Sequence, residues 1–565
     1  MISVCRRAGW LAFGALLACI RLEADNLFVA PDGTSFGTGS VDAPYSLAAA
    51  LSGQVSQPGD TFWLRGGDYK LGHLDTTIEG APGLPITFRQ AGGERARIDG
   101  SFSIFNSAGY LVFRDFEMYS SDTNRVSSQT GVGFSPTDIS IIPGVNCFAA
   151  NCSFINLVVH DQTRHGIYIS QDSTNALVYG CLIYNNGWAS PDNAEGHGIY
   201  AQGEGGMRTI TDNIVFNNCG ANLHIYENGI GRNLVGVTLN GNTAFHAGAI
   251  QSVRAYRDWV VGVDSPGGYA DRMLLEGNMG YQDPAVPVYP EIQIGRDATN
   301  GSVVLVNNYM PLGLLMNTWL SATVSGNLFA PPLTNFVVRL NRSQAPLNAR
   351  WERNTYVSTP AGNQMLLDST PYSFSAWQQA TGFDRESTFV MGGLRGTRVF
   401  VRPNQYEPGR ANIIVYNWDG LDNVAVDVSS VVSPGATFEV RNAQEFLAAP
   451  LLSGTYDGQL LLLPMTNLTA AVPNGPLTAP VPAGPTFNVF VLQSYDSALQ
   501  ITQSQGFLHL SWPIGSGLHV LQSSGSLQIP AGWTNCLTDP IAVGDQFRVT
   551  EPVTSAGKFY RLTIR

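Results

Sequence analysis

The fragment "TDNIVF" at residues 211–216 defines the repeat of this chain, because variants of it recur along the sequence. Each copy holds a short β-prone run, then Asn or a substitute, then an apolar pair. The central position returns about every 30 residues, at Asp115, Asn156, Cys181, Asn213, Asn242, Asn278, Asn308, Asn327 and Asn354. Short β-prone runs separated by "NG", "GN" and "NN" turns predict a parallel β-solenoid, in which stacked Asn side chains hydrogen-bond along the axis.

The segments that flank this repeat carry a family resemblance. "LFVAPDGTSFGTGSVDAPYSLAAAL" (27–51) and "GAPGLPITFRQAGGERARIDGS" (80–101) resemble the cap and first coil of right-handed parallel β-helix proteins of the pectate-lyase-like superfamily. "YSFSAWQQATGFDRES" (372–387) resembles the segment that closes such helices. The resemblance covers about residues 26–390 and implies this fold in a secreted, carbohydrate-active bacterial protein. It does not imply one reaction, because the fold carries lyases, epimerases, hydrolases and adhesins.

The pattern changes after the repeat. Residues 391–496 alternate with a period of two, which predicts a β-sandwich, and residues 497–565 predict a small C-terminal β-module. We therefore expect an all-β chain with a signal peptide at 1–24, a right-handed parallel β-helix with its N-terminal cap at 25–390, and these two accessory units.

Composition and the N-terminus indicate an exported protein. Arg6 and Arg7 precede a short apolar stretch, which is typical of a signal peptide cleaved after Ala24. "LLAC", ending at Cys19, is an imperfect lipoprotein signal, and we favour secretion or a cell-surface location without that anchor. The net charge of −12 argues against nucleic-acid binding. We expect a monomer with no integral membrane segment after the signal is removed.

The positions of lysine and cysteine argue against a lysine base in the cleft and against a zinc site. Several lyases of the resembled fold use a Lys of the cleft as base, but this chain has only Lys70 in the cap and Lys558 near the C-terminus. The Cys residues beyond the signal lack the spacing of a zinc site. The "GHG" of residues 196–198 resembles a polygalacturonase motif, without the paired Asp and the Arg-x-Lys that accompany it.

Two "HGIY" phrases, at residues 165–168 and 197–200, mark the candidate site. Strict alternation turns both histidines inward, whereas Gly166 and Gly198 permit a bend that turns them outward; both orientations stay open. We select as candidate catalytic residues His165, His197, Arg164, Asp161 and Glu195. We select as candidate substrate-binding residues Tyr168, Tyr200, Tyr226, Trp188 and His224, because an outward row of aromatic rings suits sugar stacking.

The loop "NGWASPDNAEG" (186–196) adds carboxylates beside His197. Asp192, Glu195 and Glu204 are candidate Ca²⁺ ligands, since Ca²⁺ takes several oxygen ligands, and solvated loop carboxylates are the alternative. No other cofactor is implied.

Three functions fit a polysaccharide ligand. The first is a lyase or epimerase on a uronic-acid-containing polysaccharide, which needs a base and a cation at the substrate carboxylate. The second is a glycosidase with two carboxylates, taken from Asp161, Asp172, Asp192, Glu195 and Glu227. The third is a glycan-binding surface protein without catalysis.

Overall fold

The structure is a computed structural model, and it describes residues 24–564 with the exception of short gaps. These gaps are residues 106–108, 132, 265, 287–288, 297, 333–335, 343–346, 359–363, 496–498, 514–518, 528–531, 537, 539, 544–545 and 555–556. The predicted signal peptide, with Cys19, lies outside the described residues apart from Ala24. Within the described part of the chain, no helix is both long and apolar enough to cross a membrane.

The first part of the chain winds into a parallel β-helix with three faces. Face 1 is a twelve-stranded parallel sheet made of Asn26–Thr34, Thr61–Leu64, Ile86–Gln90, Leu111–Arg114, Cys152–Ile155, Leu177–Tyr179, Arg208–Thr211, Leu234–Asn240, Ala270–Glu276, Asn300–Val306, Trp319–Ser325 and Asn348–Glu352. In each coil, face 2 follows face 1 after a tight corner. Its strands are Glu117–Tyr119, Val158–His160, Leu182–Tyr184, Ile214–Phe216, Thr243–Phe245, Met279–Tyr281, Tyr309–Met310, Leu328–Phe329, Thr355–Ser358 and Thr388–Met391.

Face 3 completes each coil. Its strands are Val145–Cys147, Ile167–Ile169, Ile199–Ala201, Leu223–Glu227, Trp259–Val263, Glu291–Ile294, Gly313–Asn317, Val338–Asn341 and Met365–Leu367, with Thr370–Tyr372 added antiparallel at the end. The long strands Gly67–Thr76 and Ala96–Ile104 begin both faces, because Ala96–Ile104 pairs with Glu117–Tyr119 and with Val145–Cys147.

Asparagines stack at the corner between faces 1 and 2. The Oδ1 atom of Asn242 accepts from the backbone N and the Nδ2 of Asn213, at 3.1 and 2.9 Å. The same pair of bonds is repeated from Asn242 to Asn278 and onward through Asn308 and Asn327 to Asn354. This ladder pairs buried amide groups that the turn would otherwise leave unsatisfied. The predicted stacking is therefore confirmed over these coils.

The prediction is wrong by one residue in the first two copies. The strand register places Phe116 and Leu157, rather than Asp115 and Asn156, at the ladder position. Asp115 and Asn156 have φ of 68° and 53°, so they occupy the left-handed turn position that precedes the ladder. There the Nδ2 of Asn156 donates to Oδ1 of Asp115 at 3.1 Å.

Two further sets of sheets follow the helix and cover parts of it. One set comprises a five-stranded antiparallel sheet (Thr397–Pro403, Arg410–Asn417, Phe487–Tyr495, Thr437–Asn442, Leu452–Thr455) and the pair Asn423–Val426 and Leu461–Pro464. The other comprises a four-stranded sheet (Gln500–Ser504, Phe507–Pro513, Gln546–Pro552, Ile541–Val543) and a three-stranded sheet (Thr534–Asn535, His519–Ser524, Phe559–Ile564). Helices are short: Leu47–Leu51, Phe374–Thr381 and the 3-10 turn Ala443–Glu445.

The packing of these sheets leaves face 3 as the open face. Aromatic side chains that point outward from face 2, such as Phe216 and Phe245, form one buried cluster with Tyr416 and Phe487 of the five-stranded sheet. Phe547 of the last sheets packs on Trp63 of face 1. The all-β class and the parallel β-helix followed by further β-sheets are confirmed. The domain boundaries near residues 390 and 496 stay predictions.

Candidate active site

A cavity of about 980 Å³ lies on face 3. Its floor is formed by outward side chains of successive coils, from Asn146 to Gln293. Its walls come from chain segments that leave the coils, including Phe134 and residues 253–257, and the Arg254 guanidinium lies 5.8 Å from the centroid of the Phe134 ring. Residues from three segments that interrupt the short turns, 119–150, 186–196 and 250–272, thus line one sheet face, which is a common way to build a ligand site on a rigid scaffold.

The aromatic row on the cavity floor differs in register from the predicted one. Tyr168 pairs with Tyr200, as expected, but Tyr200 pairs with His224. Tyr226 pairs with Gly262 and lies one outward position further along its strand. The prediction that Tyr226 continues the tyrosine column is therefore wrong, and His224 takes that place. All four side chains line the cavity.

The two "HGIY" histidines also line the cavity, because the glycines after them turn inward. A Cβ on Gly166 would meet Ile183 at 2.5 Å, and a Cβ on Gly198 would meet Val215 at 2.2 Å, both on core side chains. Since the glycines face the core, strict alternation is broken and the preceding rings turn toward the cavity. Their ring planes are parallel within 2°, with centroids 5.1 Å apart.

Hydrogen bonds fix the tautomer of both rings. The backbone N–H of His197 donates to Nδ1 of His165 at 3.1 Å, and that of Ala221 donates to Nδ1 of His197 at 2.9 Å. With the Nδ1 lone pair occupied, a neutral ring carries its proton on Nε2. Burial lowers the pKa of His197 to about 3 and that of His165 well below its usual value. These rings are neutral donors, which argues against the prediction that either acts as the base.

Glu195 lies against the two histidines. One ligand atom from each of His165, Glu195 and His197 falls within 4.8 Å of the others. Burial raises the pKa of Glu195, against the lowering effect of the Arg164 and Arg254 charges. Its Oε2 is buried and has no hydrogen-bond partner among the described residues. A carboxyl group in this setting suits proton transfer near neutral pH.

The same three residues are poor metal ligands as they stand. A metal bound at Nε2 would have to displace the proton that the occupied Nδ1 forces onto that atom. The parallel stacking of the two rings also directs their in-plane lone pairs alongside each other rather than toward one point. The donor set is therefore better suited to hydrogen bonding than to metal binding.

Arginine side chains give the cavity a positive lining within an acidic protein. Arg164 and Arg232 have no ion pair or side-chain hydrogen bond among the described residues, and both line the cavity. Arg254 bonds to an uncharged partner, Oδ1 of Asn193, at 3.2 Å. By contrast, Arg257 pairs with Glu291. Unpaired guanidinium groups in a recess are suited to carboxylate ligands.

Gln202 connects the hydroxyl groups of the floor. The hydroxyl of Tyr168 donates to Oε1 of Gln202 at 2.5 Å, while Nε2 of Gln202 donates to the hydroxyl oxygen of Tyr200 at 2.9 Å and to Glu227 at 3.3 Å. Glu227 also accepts from the backbone N–H groups of residues 228 and 229. Because the Tyr200 oxygen already accepts from Gln202, its own proton is free to point elsewhere.

The structure places Asp161 outside the cavity, so its surroundings do not support its predicted catalytic role. It is buried at the end of face 2, where Oδ1 accepts from Arg125 and from the backbone N–H of Asn474, each at 2.8 Å. Its Oδ2 bonds to Nδ1 of His160 at 2.7 Å. These contacts join the helix to the loop around residue 474, which gives Asp161 a structural role.

Trp188 and the predicted Ca²⁺ ligands are also placed differently from expectation. Trp188 is fully buried in the hairpin Trp188–Ala189 and Ala194–Glu195, so it offers no surface to a sugar. Asp192 lies at the exposed tip and accepts from Gly131 and Ser190. Glu204 bonds to Asn233. Asp192, Glu195 and Glu204 do not meet in one cluster of the described residues, so the structure does not bring the three predicted Ca²⁺ ligands together.

Three functional candidates were not found from the sequence. Arg232 follows the face 3 strand Leu223–Glu227, and Arg254 lies in the irregular segment before the face 3 strand Trp259–Val263. Gln202 lies two residues after the tyrosine of the second "HGIY". Only Gln202 carried a usable signal, because residues two apart on a strand share a face.

Comparison with known proteins supports the fold assignment. Residues 27–258 match a family model described as "Pel9A-like, right handed beta helix region". Pectate lyase PEL9 of Emericella nidulans is 26% identical over 179 residues, which are 31% of this chain and 42% of that protein. The chain thus spans about two fifths of the length of this curated relative.

Two solved structures show a weaker likeness to this chain. The crystal structure of pectate lyase Pel9A aligns with 62% of this chain and 79% of its own, at 15% identity and a TM-score of 0.38. The GH136 lacto-N-biosidase from Eubacterium ramulus aligns with 65% of this chain and 67% of its own, at 13% identity and a TM-score of 0.34.

Proposed function

We propose that this chain, whose residues 27–258 match a Pel9A-like right-handed β-helix family model, is a secreted polysaccharide lyase acting on a uronic-acid-containing glycan in the cavity of face 3. The observation that carries the proposal is the set of arginines, Arg164, Arg232 and Arg254, that line the cavity without an acidic partner among the described residues. In a protein of net charge −12, such a cluster favours an anionic sugar over a neutral one.

The arrangement supports a β-elimination in which each group has one task. Arg164 and Arg254 bind the uronate carboxylate and stabilise the charge that develops when the neighbouring C5–H bond breaks. Glu195 takes that proton, and the electron pair forms the C4–C5 double bond. The C4–O4 bond breaks, and the leaving oxygen receives the proton of Tyr200. The Nε2–H groups of His165 and His197 donate to Glu195 or to the sugar.

An epimerase would begin with the same proton abstraction and return the proton to the other side of C5. The glycosidase alternative is less well supported. Glu195 precedes Ile199 by four residues, whereas Glu227 follows Leu223, the partner of Ile199, by four. The register therefore places the two residues beyond opposite ends of a strand pair, whereas glycosidases use two carboxylates roughly 5–9.5 Å apart.

Incubation of the purified chain with polygalacturonate, alginate and a neutral glycan tests the proposal. We expect uronate polymers alone to yield products with the ultraviolet absorbance of a C4–C5 double bond. Reducing ends without that absorbance would indicate a glycosidase, inversion at C5 seen by NMR an epimerase, and retention of the protein in glycan gels without product a binding protein. Each of these three results would contradict the lyase.

A matched pair of arginine variants tests the role of the positive lining. Arg164→Met should lower kcat/KM on the uronate polymer about 10- to 100-fold, the loss expected for a charged hydrogen bond. Arg342→Met is the control, because Arg342 pairs with Asp368 outside the cavity. Equal activity of both variants would contradict the assignment of Arg164.

A further inference from the structure

The aromatic surface of face 3 continues beyond the cavity toward the N-terminal cap. Phe148 lines the cavity and contacts Tyr168 edge-on, with ring centroids 5.8 Å apart. On its other side Phe148 stacks with Phe105, with centroids 4.7 Å apart and planes within 9°. Phe105 is not part of the cavity lining, and 44% of it is exposed.

Backbone hydrogen bonds hold the two rings at consecutive rungs. The N–H of Phe148 donates to the carbonyl of Ile104 at 3.0 Å, and the N–H of Phe105 donates to the carbonyl of Thr76 at 2.8 Å. The ring spacing of 4.7 Å therefore matches one coil of the helix. Both rings belong to the rigid scaffold rather than to a wall segment, so their exposed surface is preorganised.

Polar groups accompany this pair. Asn146 lies on the cavity floor in the tyrosine column and donates from Nδ2 to Oγ of Ser103 at 3.4 Å. Beyond Ser103, the strand partner Asp75 is exposed, and His73 next to it bonds to Ser101 at 2.7 Å. The exposed rings are thus bordered by amide, hydroxyl and carboxylate groups along the same direction, a combination that suits a sugar ring with one apolar face and hydroxyl groups at its edge.

We infer that Phe105 and Phe148 form an additional glycan-binding subsite outside the cavity, which takes a further sugar residue of a chain whose reacting residue lies near Tyr200. This inference rests on the proposed function, because the occupant is the extended polysaccharide substrate. Phe105 lies about three coil spacings, roughly 14 Å, from the coil of Tyr200. The subsite can therefore contact only oligosaccharides several residues long.

The test compares long and short uronate oligomers on one set of variants. Phe105→Ala should weaken binding of long polygalacturonate oligomers about five- to tenfold, as expected from loss of one aromatic stacking contact. The shortest oligomers that are cleaved should keep their KM and kcat. Phe105→Trp should retain the wild-type KM on long oligomers, because it keeps the stacking surface.

The matched control is Phe507→Ala, since Phe507 has a similar exposure of 46% but lies in the last sheets of the chain. It should change neither long nor short oligomers. An unchanged KM for Phe105→Ala on long oligomers, or an equal loss on short and long ones, would overturn the subsite.

Retardation in gels containing polygalacturonate separates failure of the subsite from failure of the lyase. If the wild-type protein is retarded without cleaving the polymer, and Phe105→Ala is not retarded, the result supports the subsite and contradicts the lyase. If the wild-type protein cleaves the polymer, and Phe105→Ala is retarded as strongly as the wild type, the result contradicts the subsite alone. If the wild-type protein neither binds nor cleaves any uronate polymer, the result contradicts both the subsite and the lyase.

Discussion

His165 and His197 are linked by a hydrogen bond from one to the ring of the other: the backbone N–H of His197 donates to Nδ1 of His165 at 3.1 Å. The next coil repeats the contact, with Ala221 donating to His197. A ring held in this way presents an Nε2–H group to the cavity and has no free lone pair for a proton. The repetition in the sequence therefore builds a pair of neutral donors, and Glu195, whose pKa is raised by burial, lies beside them.

Glu195→Gln should lower kcat about 10²- to 10⁴-fold, the usual contribution of a general base, with a small change in KM. In the wild type, burial raises the pKa of Glu195, so activity should fall as the pH drops through a pKa above the usual value for Glu. Initial rates of double-bond formation across pH give both quantities. An acid limb that persists in Glu195→Gln would assign it to another group.

Gln202→Met should remove the N–H that the Tyr200 oxygen accepts while keeping the volume of the side chain. Without that bond, the hydroxyl proton of Tyr200 is free to turn away from the leaving oxygen. We expect a loss of about tenfold in kcat, the effect of one hydrogen bond, with KM nearly unchanged and a shifted alkaline limb in the pH profile. Gln202→Glu, which can still hold Tyr168, serves as the comparison. A change in KM alone would indicate a purely substrate-binding role.

His197→Asn should make folding less sensitive to acid. Burial lowers the folded-state pKa of His197 to about 3, below the value of about 6.5 in an unfolded chain. The unfolded state therefore binds more protons between these values, and stability falls as the pH drops from about 6.5 toward 3. From pH 7 to pH 4 the wild type should lose about 3 kcal/mol through this residue, and the variant should not.

Chemical denaturation at both pH values measures that difference. Asn offers an acceptor in place of Nδ1, so the bond to Ala221 is retained. Ile199→Val is the control, because it weakens the core by about 1 kcal/mol without adding or removing a titrating group. It should show the full acid loss of the wild type. The same loss in His197→Asn would show that this histidine does not stay neutral.

Gly198→Ala should destabilise the protein by about 1–3 kcal/mol, the usual cost of overpacking a core. The added Cβ would lie 2.2 Å from Val215 Cγ1 and 2.7 Å from the carbonyl oxygen of Asn222. Thermal unfolding measures the loss, and Gly393→Ala, which has no atom within 4 Å of its Cβ, is the control. Equal melting temperatures would show that the coil can move to accept a methyl group.

The repeat predicted the fold because each coil must satisfy the same corner. Asn213 and Asn242 follow residues in the left-handed turn conformation, and the sequence shows the pair as "DN" and "GN". In the earlier coils the ladder position holds Phe116 and Leu157, so the polar residue of each copy is the preceding turn residue, Asp115 or Asn156. The repeat alone therefore could not separate the two roles.

The site was predictable only where it lies on strands. Tyr168 and Tyr200 share a column, as the two phrases indicate. The tyrosine of "LHIY" is shifted by two residues from that column, and only the strand pairing in the structure shows this shift. Asp161 depends on the loop near residue 474, more than 300 positions away in the chain. Arg254 reaches the cavity from an irregular segment whose path has no periodicity. Contacts of this kind arise from tertiary packing and leave no local pattern.

The stacking of coils by one fixed hydrogen-bond unit also has an evolutionary consequence. The cavity floor takes its side chains from six consecutive strands of face 3, one coil each. Because the Asn ladder is the same from the coil of Asn213 to that of Asn354, a duplicated or deleted coil in this part would preserve the corner contacts while changing the length of the floor by about 4.8 Å. Such a change would add or remove room for sugar at one end of the groove and leave the chemistry at the other end intact. Under the proposed function, the length of substrate that the groove holds can therefore change through the gain or loss of whole coils.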